Sequence, residues 1–187
     1  MSTRPGPRER LLEAARDLTY AHGVHIGVDS ILQRADVARR SLYQHFGGKE
    51  GLIAEVLRTA AAQTRYRRVM DEAGDDPRVR VLAVFDELER ITTGPAFHGC
   101  RFTAAELTLS DPSHPAHAEI RAYKDGLHEL FAGELRRAGH PDPDLGSNQL
   151  LVLFDGVLAH AVTRPDAHPA LAARAMAQAI LDQTTER

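Results

Sequence analysis

The stretch VDSILQRADVARRSLYQHFGGKE, residues 28–50, decides the fold of this 187-residue chain. Its apolar residues recur at helical spacing as far as Ala35, and the pattern breaks at residues 35–37. A second short helical pattern then places Leu42 and Phe46 on one side. Two short helices joined by a tight turn form a helix-turn-helix, whose second helix can enter a DNA major groove. The stretch therefore predicts a helix-turn-helix.

The open side of the second helix is predicted to be cationic and aromatic. The residues expected to contact DNA from this helix are Arg39, Arg40, Ser41, Tyr43 and Gln44. Arginine can bond the edge of a guanine with two donors, and glutamine can bond an adenine in the same way. Lys49 starts the next helix and is suited to a phosphate oxygen. The alternative is an ordinary exposed amphipathic helix with a solvated arginine pair.

The flanking sequence favours the DNA-binding interpretation. Residues 8–22 have a strong helical pattern, and Gly23 is placed to end that helix as a left-handed cap. After Phe46, the pair Gly47-Gly48 precedes a second long helical pattern that starts at Lys49. The predicted order is therefore helix, helix-turn-helix, glycine turn and long helix.

Residues 8–57 resemble the N-terminal DNA-binding domain of the TetR family of bacterial transcriptional regulators. The matching segments are LLEAARDLTYAHG, VDSILQRADVARRSLYQHF and GGKEGLIAEVL. The most specific part is Leu-Tyr-x-His-Phe, which is followed two residues later by Lys-Glu. The resemblance implies an all-helical homodimer whose first three helices bind DNA, and whose C-terminal domain binds a small ligand and dimerises.

The resemblance also assigns roles to individual positions. The base-reading positions of the family fall on the residues of the second helix named above. Its phosphate contacts fall on Tyr43, Lys49 and the start of the first helix of the motif near Gly27. Two positions depart from the family, since Gly27 and Ala38 stand where many members have a hydroxyl residue that caps a helix.

The remainder of the chain is predicted to be helical, with proline and glycine at the breaks. The expected helices cover residues 49–73, 78–93, 101–110, 115–139, 145–163 and 168–185. We therefore expect an all-α protein of about nine helices. The DNA-binding domain is expected at residues 1–48, and an effector-binding and dimerisation domain at residues 49–187.

The last two predicted helices are apolar on more than one face. Residues 149–162 are apolar nearly all round, and residues 170–181 are rich in alanine. A helix with two apolar faces needs two partners, and a second copy of the same helix pair would cover the outer face. The expected interface residues are Leu150, Leu153, Val157, Met176 and Ile180. The alternative is a core helix buried within a monomer.

The middle of the chain is expected to hold an effector pocket, because it combines aromatic residues with several histidines. The candidate lining residues are Leu88, Phe97, Cys100, Phe102, Tyr123, Leu127, Phe131, Phe154 and His160. A redox-sensing thiol at Cys100 is an open alternative to a buried apolar one. His114 and His117 raise the question of a metal site, but the sequence has no other pattern of metal ligands, and neither a metal nor a cofactor is expected.

Charge and composition agree with this interpretation. The net charge of −3 divides into +3 over residues 1–49 and −6 over the rest, so the positive field lies where DNA would bind. No apolar run reaches about 18 residues, no signal peptide is visible, and the single cysteine excludes an intrachain disulfide framework. A cytoplasmic protein with no membrane segment is expected.

Together these patterns predict a transcriptional regulator that is not an enzyme. Its expected partners are double-stranded operator DNA with a palindromic sequence, a small-molecule effector of unknown identity, and a second copy of the chain. Repression released by the effector is the favoured mode of action. The alternatives are a redox-responsive regulator that acts through Cys100, and a helical small-molecule-binding protein or enzyme without specific DNA binding.

Overall fold

The computed structural model describes residues 5–62 and 65–183, and these residues form helices and connecting turns without any strand. The all-α class is confirmed. The helices are α1 (Pro7–His22), α2 (Val28–Ala35), α3 (Arg39–Phe46), α4 (Lys49–Ala62), α5 (Tyr66–Glu72), α6 (Pro77–Thr92), α7 (Arg101–Thr108), α8 (Ala116–Arg137), α9 (Pro143–Thr163) and α10 (Pro169–Leu181), with a 3-10 turn at Pro165–Ala167 between the last two.

Proline and aspartate define the start of α6. Pro77 occupies the first helical position, where a missing N–H has no consequence. The carboxylate of Asp76 accepts a hydrogen bond of 2.8 Å from the backbone N–H of Arg78 and so caps the helix. The helix therefore starts within one residue of the start predicted at residue 78.

The single helix predicted over residues 49–73 is wrong. The chain forms α4 and α5 instead, and Arg65 between them lies outside both helices. The buried residues of α4 and those of α5, Tyr66 and Met70, belong to different cores. The alanines at residues 60–62 favour helix and therefore hide this change of packing partner in the sequence.

The described residues form two compact units, one of residues 5–62 and 101–123, the other of residues 65–100 and 124–183. Within the first unit, α1, α2, α3 and α4 enclose one apolar core. Its buried members are Leu11, Ala14, Ala15, Ile31, Leu32, Ala35, Leu42, Leu52 and Val56. The domain boundary expected between residues 48 and 49 stays a prediction.

The second unit is built around α6, α9 and α10, with α5 and the C-terminal part of α8. Phe85 of α6 and Phe131 of α8 are fully buried and stacked, with ring centroids 6.4 Å apart. Phe154 of α9 lies in the same core and meets the ring of Tyr66 edge-on at 5.2 Å. The interior of this unit is therefore aromatic as well as aliphatic.

Helix α9 is the most apolar element of the second unit. Among the residues that the structure describes, it alone is long and apolar enough to cross a membrane, by length and composition only. Its mean hydropathy reaches 1.3, and 39% of that stretch is buried. Leu150, Phe154 and Val157 lie in the core. A single helix of this kind is weak evidence for a membrane span, since core helices have the same composition.

Arg80 of α6 makes a charged network that joins three helices of the second unit. Its guanidinium donates to the Glu134 carboxylate of α8 at 2.9 Å and to Asp71 of α5 at 2.9 Å. It also donates to the backbone carbonyls of Met70 and Gly74, at 2.9 and 3.1 Å. The Glu134 side chain is only 8% exposed, and loss of Arg80 would leave its carboxylate with the half-exposed Arg137 as its remaining ion-pair partner.

Gly51, in the first turn of α4, allows the end of α3 to approach the helix backbone. A methyl group placed on Gly51 would lie 2.0 Å from the carbonyl oxygen of Phe46 and 3.2 Å from its carbonyl carbon. These are backbone atoms, so a side chain at residue 51 requires the α3–α4 connection to move. Gly51 is therefore required by a close approach and not by a left-handed backbone.

Gly51→Ala is expected to lower the free energy of unfolding by about 1–3 kcal/mol, because overpacking forces the backbone to shift. The matched control is Gly126→Ala, in α8, where nothing lies within 4 Å of the added methyl group. That change should raise the free energy of unfolding by about 0.5–1 kcal/mol through helix propensity. Urea denaturation of both variants measures the difference, and equal effects of the two changes would contradict the close approach.

Arg80→Ala is expected to lower the free energy of unfolding by about 1–3 kcal/mol, because it removes one of the two arginine partners of the largely buried Glu134 carboxylate and the donor to the carbonyls of Met70 and Gly74. Arg68→Ala is the control, since Arg68 pairs with Glu72 on the surface of α5, where both side chains are more than half exposed. The control should cost less than about 0.5 kcal/mol. Thermal and urea unfolding measure both variants. A loss of the same size in both would show that the network of Arg80 stabilises the fold no more than an exposed ion pair does.

Candidate DNA-binding surface

Helix α3 has one buried side and one exposed side. Leu42 is 1% exposed and anchors the helix on the core of the first unit, and Phe46 is half-buried beside it. Arg40, Tyr43 and Gln44 are exposed on the other side, and Arg39 is exposed in the first turn of the helix. Ser41 is half-buried. The structure therefore brings together the predicted cationic and aromatic residues on one accessible face, with Tyr43 57% exposed.

The turn before α3 is held by a left-handed residue and by backbone hydrogen bonds. Asp36 ends α2 with φ 51° and ψ 55°, a conformation that aspartate tolerates better than most residues. The backbone N–H of Val37 donates to the carbonyl of Leu32 at 3.2 Å. Arg10 of α1 adds an ion pair of 3.6 Å to the Asp36 carboxylate. These contacts set the direction in which α3 leaves the turn.

A glycine ends α3 at its C-terminus. Gly47 has φ 72° and donates its N–H to the carbonyl of Tyr43 at 3.0 Å. Gly48 follows with φ 151°, and α4 starts at once with Lys49. The left-handed backbone at Gly47 is the conformation that glycine adopts at a helix C-terminus without strain. The pair Gly47-Gly48 therefore sets the tight connection from α3 to α4.

Two of the predicted phosphate contacts lie at helix N-termini. Gly27 is the exposed N-cap of α2 and supplies no side-chain hydrogen bond to the helix. Lys49 is the half-buried first residue of α4. Helix N-termini present backbone N–H groups and a partial positive charge, which suit a phosphate. Ala38 caps α3 without a side-chain bond, as its residue type predicts.

An exposed carboxylate of α2 pairs with the first residue of α3. Asp29, in the first turn of α2, accepts a hydrogen bond from the guanidinium of Arg39 at the start of α3. Arg40 makes no ion pair within the part of the chain that the structure describes. The two neighbouring arginines therefore differ, because one has an acidic partner and the other does not.

The arginines of the N-terminal segment have intramolecular partners in the structure. Arg8, in the first turn of α1, donates to Glu55 of α4 at 2.5 Å and lies 5.4 Å from the ring centroid of Phe46. Arg58 also donates to Glu55, at 2.8 and 2.7 Å. The hydrogen bond from Arg58 holds the pKa of the Glu55 carboxyl below its usual value, burial opposes this, and Arg8 adds to the lowering. Arg8 therefore links α1 to α4 next to the C-terminal end of α3.

The candidate effector residues lie in different surroundings. In the first unit, Phe102 and Tyr123 are buried and stacked, with ring centroids 3.7 Å apart. The other seven candidates belong to the second unit. Of these, Leu88, Leu127, Phe131 and Phe154 are buried, Phe97 and Cys100 are half-buried, and His160 is exposed. A pocket shared by these residues stays a prediction.

The two histidines considered for a metal site take part in hydrogen bonds of the first unit instead. One ring nitrogen of His117 lies 2.9 Å from the Glu106 carboxylate and the other 3.0 Å from the carbonyl of Asp111. The Glu106 carboxylate raises the pKa of His117, whereas burial lowers the pKa of His114. No group of three or more possible metal ligands occurs in the described ranges.

The expected interface residues divide between the core and the surface of the second unit. Leu150 and Val157 are buried inside the unit, whereas Met176 is 58% exposed. Leu153 and Ile180 are half-buried and line a groove of about 590 Å³ between α9 and α10. The other residues of this groove are Leu145, Asn148, Gln149, Val152, Met176, Ala179 and Gln183. The outward apolar face therefore includes Val152 and Leu145, which the sequence pattern did not single out.

Sequence reasoning missed three residues that shape the DNA-facing surface. Gly51 carries a visible signal, because glycine is unfavourable inside a helix-forming run and often marks a close approach. The pairing of Asp29 with Arg39 has no such signal, since an acidic residue in a first turn is ordinary. The contacts of Arg8 with Glu55 and Phe46 have no local signal either, because they join residues far apart in the sequence.

Comparisons with known proteins bear on the whole chain. The family model for bacterial regulatory proteins of the tetR family matches residues 11–56. A TetR transcriptional regulator of Streptomyces avermitilis, SAV143, has 38% sequence identity and a TM-score of 0.79 over 91% of this chain and 99% of its own. SCO4454, a TetR-family regulator of Streptomyces coelicolor, has 28% identity and a TM-score of 0.85 over 96% of each chain.

A further solved structure includes DNA. The TetR-family regulator CifR, in a cysteine mutant complexed with a 26-base-pair operator duplex, has 24% identity and a TM-score of 0.77, and the match covers 96% of this chain and 98% of that one. At this identity the likeness concerns the fold. The search of curated proteins found no match. On the extent and identity of the Streptomyces avermitilis match and on the helix-turn-helix model, this chain belongs to the TetR family of transcriptional regulators.

Proposed function

We propose that this regulator is a cytoplasmic homodimeric repressor that binds a palindromic operator and is released from it by a small-molecule effector. The observation that carries the DNA-binding part is the exposed face of α3. Arg40, Tyr43 and Gln44 are accessible there, while Leu42 fixes the helix to the core. The exposed side chains of α3 must be held in place because recognition of a base edge requires hydrogen-bond donors at defined positions.

The distribution of charge supports the same surface. The first 49 residues carry a net charge of +3 within a chain of net −3. Phosphate contacts supply most of the affinity for DNA of any sequence, and base contacts supply the selectivity. We assign Gly27 and Lys49 to phosphate, Arg39, Arg40 and Gln44 to bases, and leave Ser41 and Tyr43 to either.

A dimer follows from the apolar groove between α9 and α10. Val152 is 72% exposed and Met176 58% exposed, and both line this groove. A second copy would cover the groove with its own α9 and α10, and twofold symmetry would repeat every contact. Such a dimer would present two recognition helices to successive major grooves, about 34–36 Å apart.

The effector is proposed to act by linkage. If it binds preferentially to a state of the dimer in which the two recognition helices no longer match the operator spacing, then effector and operator each weaken the binding of the other by the same factor. The mixed aromatic and histidine composition of the candidate pocket supports a small organic ligand. Its lining residues, from Leu88 to His160, stay as predicted from the sequence.

Base reading by Arg40 is tested with a substitution at that residue and one at Lys49. Arg40→Ala should relax the preference at one operator position, with a loss of about 1–3 kcal/mol if it contacts a guanine. Lys49→Ala should weaken binding to all duplexes alike and reduce the salt slope by about two, one for each subunit of the dimer. Fluorescence anisotropy with operator variants at several salt concentrations measures both effects.

The control for this experiment is Arg68→Ala, which removes an exposed arginine of α5 and should change neither quantity. A uniform loss across all sequences for Arg40→Ala would contradict its role in base reading. A wild-type protein that shows no specific, salt-sensitive binding to any genomic fragment would instead favour a helical ligand-binding protein or enzyme.

The dimer surface is tested with Met176→Glu. A charge buried at a twofold interface is introduced twice, so dimer affinity should fall by more than about tenfold. Leu171→Glu is the matched control, because Leu171 is 55% exposed on the same helix but does not line the groove. Sedimentation velocity measures the dimer fraction, and dissociation by both variants, or by neither, would place the interface elsewhere.

A further inference from the structure

The ion pair between Asp29 and Arg39 joins the first turn of α2 to the start of α3. Asp29 is the second residue of α2, and Arg39 is the first residue of α3. The Nη2 group of Arg39 donates to Oδ1 of Asp29, and the two side chains are 51% and 85% exposed. Exposed pairs of this kind add little to folding stability. The carboxylate itself is favourable in the first turn of α2, but its pairing with Arg39 adds little to that stability.

We propose that Asp29 is a positioning residue that restricts Arg39 to base contacts, an inference that rests on the DNA-binding function proposed above. A solvated arginine at the start of a recognition helix has two kinds of target. It can bond a phosphate oxygen, which carries no sequence information, or the edge of a base, which does. Asp29 changes the balance between these two targets.

The donor geometry of the guanidinium leaves the base contact open. Arginine has five N–H donors, and the bond to Asp29 uses one of them on Nη2. The second donor of Nη2 and both donors of Nη1 remain for the O6 and N7 atoms of a guanine. Asp29 can therefore hold the guanidinium while Arg39 bonds a base with two donors.

The charge of the carboxylate disfavours the phosphate contact. A phosphate bound to Arg39 would share the guanidinium with a second anion, and the two anions would repel each other at short range. The edge of a guanine is uncharged and does not experience this repulsion. Asp29 thus lowers affinity for the DNA backbone in general and leaves the contact to a guanine comparatively unaffected, which raises selectivity.

Arg40 provides an internal comparison. It follows Arg39 directly and is exposed, but it has no ion-pair partner among the described residues. Arg40 therefore has no neighbouring carboxylate in the described ranges that would disfavour a contact to phosphate. If Asp29 acts as proposed, neutralising it should make Arg39 behave as an unpaired arginine does, with tighter binding to DNA of any sequence and weaker discrimination at one position.

The experiment uses the full chain and a duplex that the wild-type protein enriches from a randomised pool. Anisotropy measures binding of the wild type, Asp29→Asn, Arg39→Gln and the double variant to this duplex, to its single-base variants and to one unselected duplex. Glu72→Gln is the control, since Glu72 is also an exposed carboxylate paired with an arginine, Arg68, at 3.2 Å. Urea unfolding checks that each variant is folded.

Asp29→Asn is expected to bind the unselected duplex about 3- to 10-fold more tightly at low salt, because one repulsive charge is removed. It should also lose about 3- to 10-fold of discrimination at the same base pair at which Arg39→Gln loses it. In the Arg39→Gln background, Asp29→Asn should no longer affect discrimination there. Glu72→Gln should change neither quantity.

Equal tightening on selected and unselected duplexes, with base preference intact, would overturn the proposal and reduce Asp29 to a general charge effect. A loss of discrimination that persists in the Arg39→Gln background would overturn it as well, because the effect would not act through Arg39. If the wild type enriches no sequence, the DNA-binding function itself fails and this inference fails with it.

Discussion

The packing of the end of α3 against the start of α4 is the constraint on which the DNA-facing surface depends. The carbonyl of Phe46 approaches Gly51 so closely that no side chain fits between them. Leu42 holds the middle of α3 in the core, and Gly47 turns the chain between the two helices. The position of the whole exposed face is thus set from inside the unit, by contacts that never meet DNA. Accurate recognition needs this kind of rigid support.

The second unit contains a helix, α9, that is apolar on two sides, and both sides need a packing partner. Helix α9 places Leu150, Phe154 and Val157 in the interior and leaves Val152 exposed beside α10. This exposed side is the surface that the proposed second copy would cover. The inner side of α9 therefore belongs to folding, and its outer side to the proposed association of two copies.

The sequence predicted the helix-turn-helix well because its signals are local. Leu42 and Phe46 mark the inner side of α3 by their spacing, and Gly47 marks its end. The sequence does not show which side of α9 faces the core, since leucine and valine occur all round it, and Leu150 and Val157, expected at the interface, are buried inside the unit. The ion pair of Arg39 with Asp29 could not be predicted from the sequence either, because it joins residues ten positions apart across a turn. Such contacts depend on how two helices pack, and local periodicity carries no information about that.

The short helix α5 has a dependence that follows from the network around Arg80. A helix of seven residues is marginal in water without outside support, because nucleation is unfavourable. The carbonyls of Met70 and Gly74 near its C-terminal end are bonded by a guanidinium from the next helix. The stability of α5 therefore depends on Arg80, near the start of α6. Local opening that breaks the hydrogen bonds of Arg80 would therefore let α5 unfold and expose its buried residues, Tyr66 and Met70. The backbone amide protons of α5 would then exchange with solvent as one cooperative group.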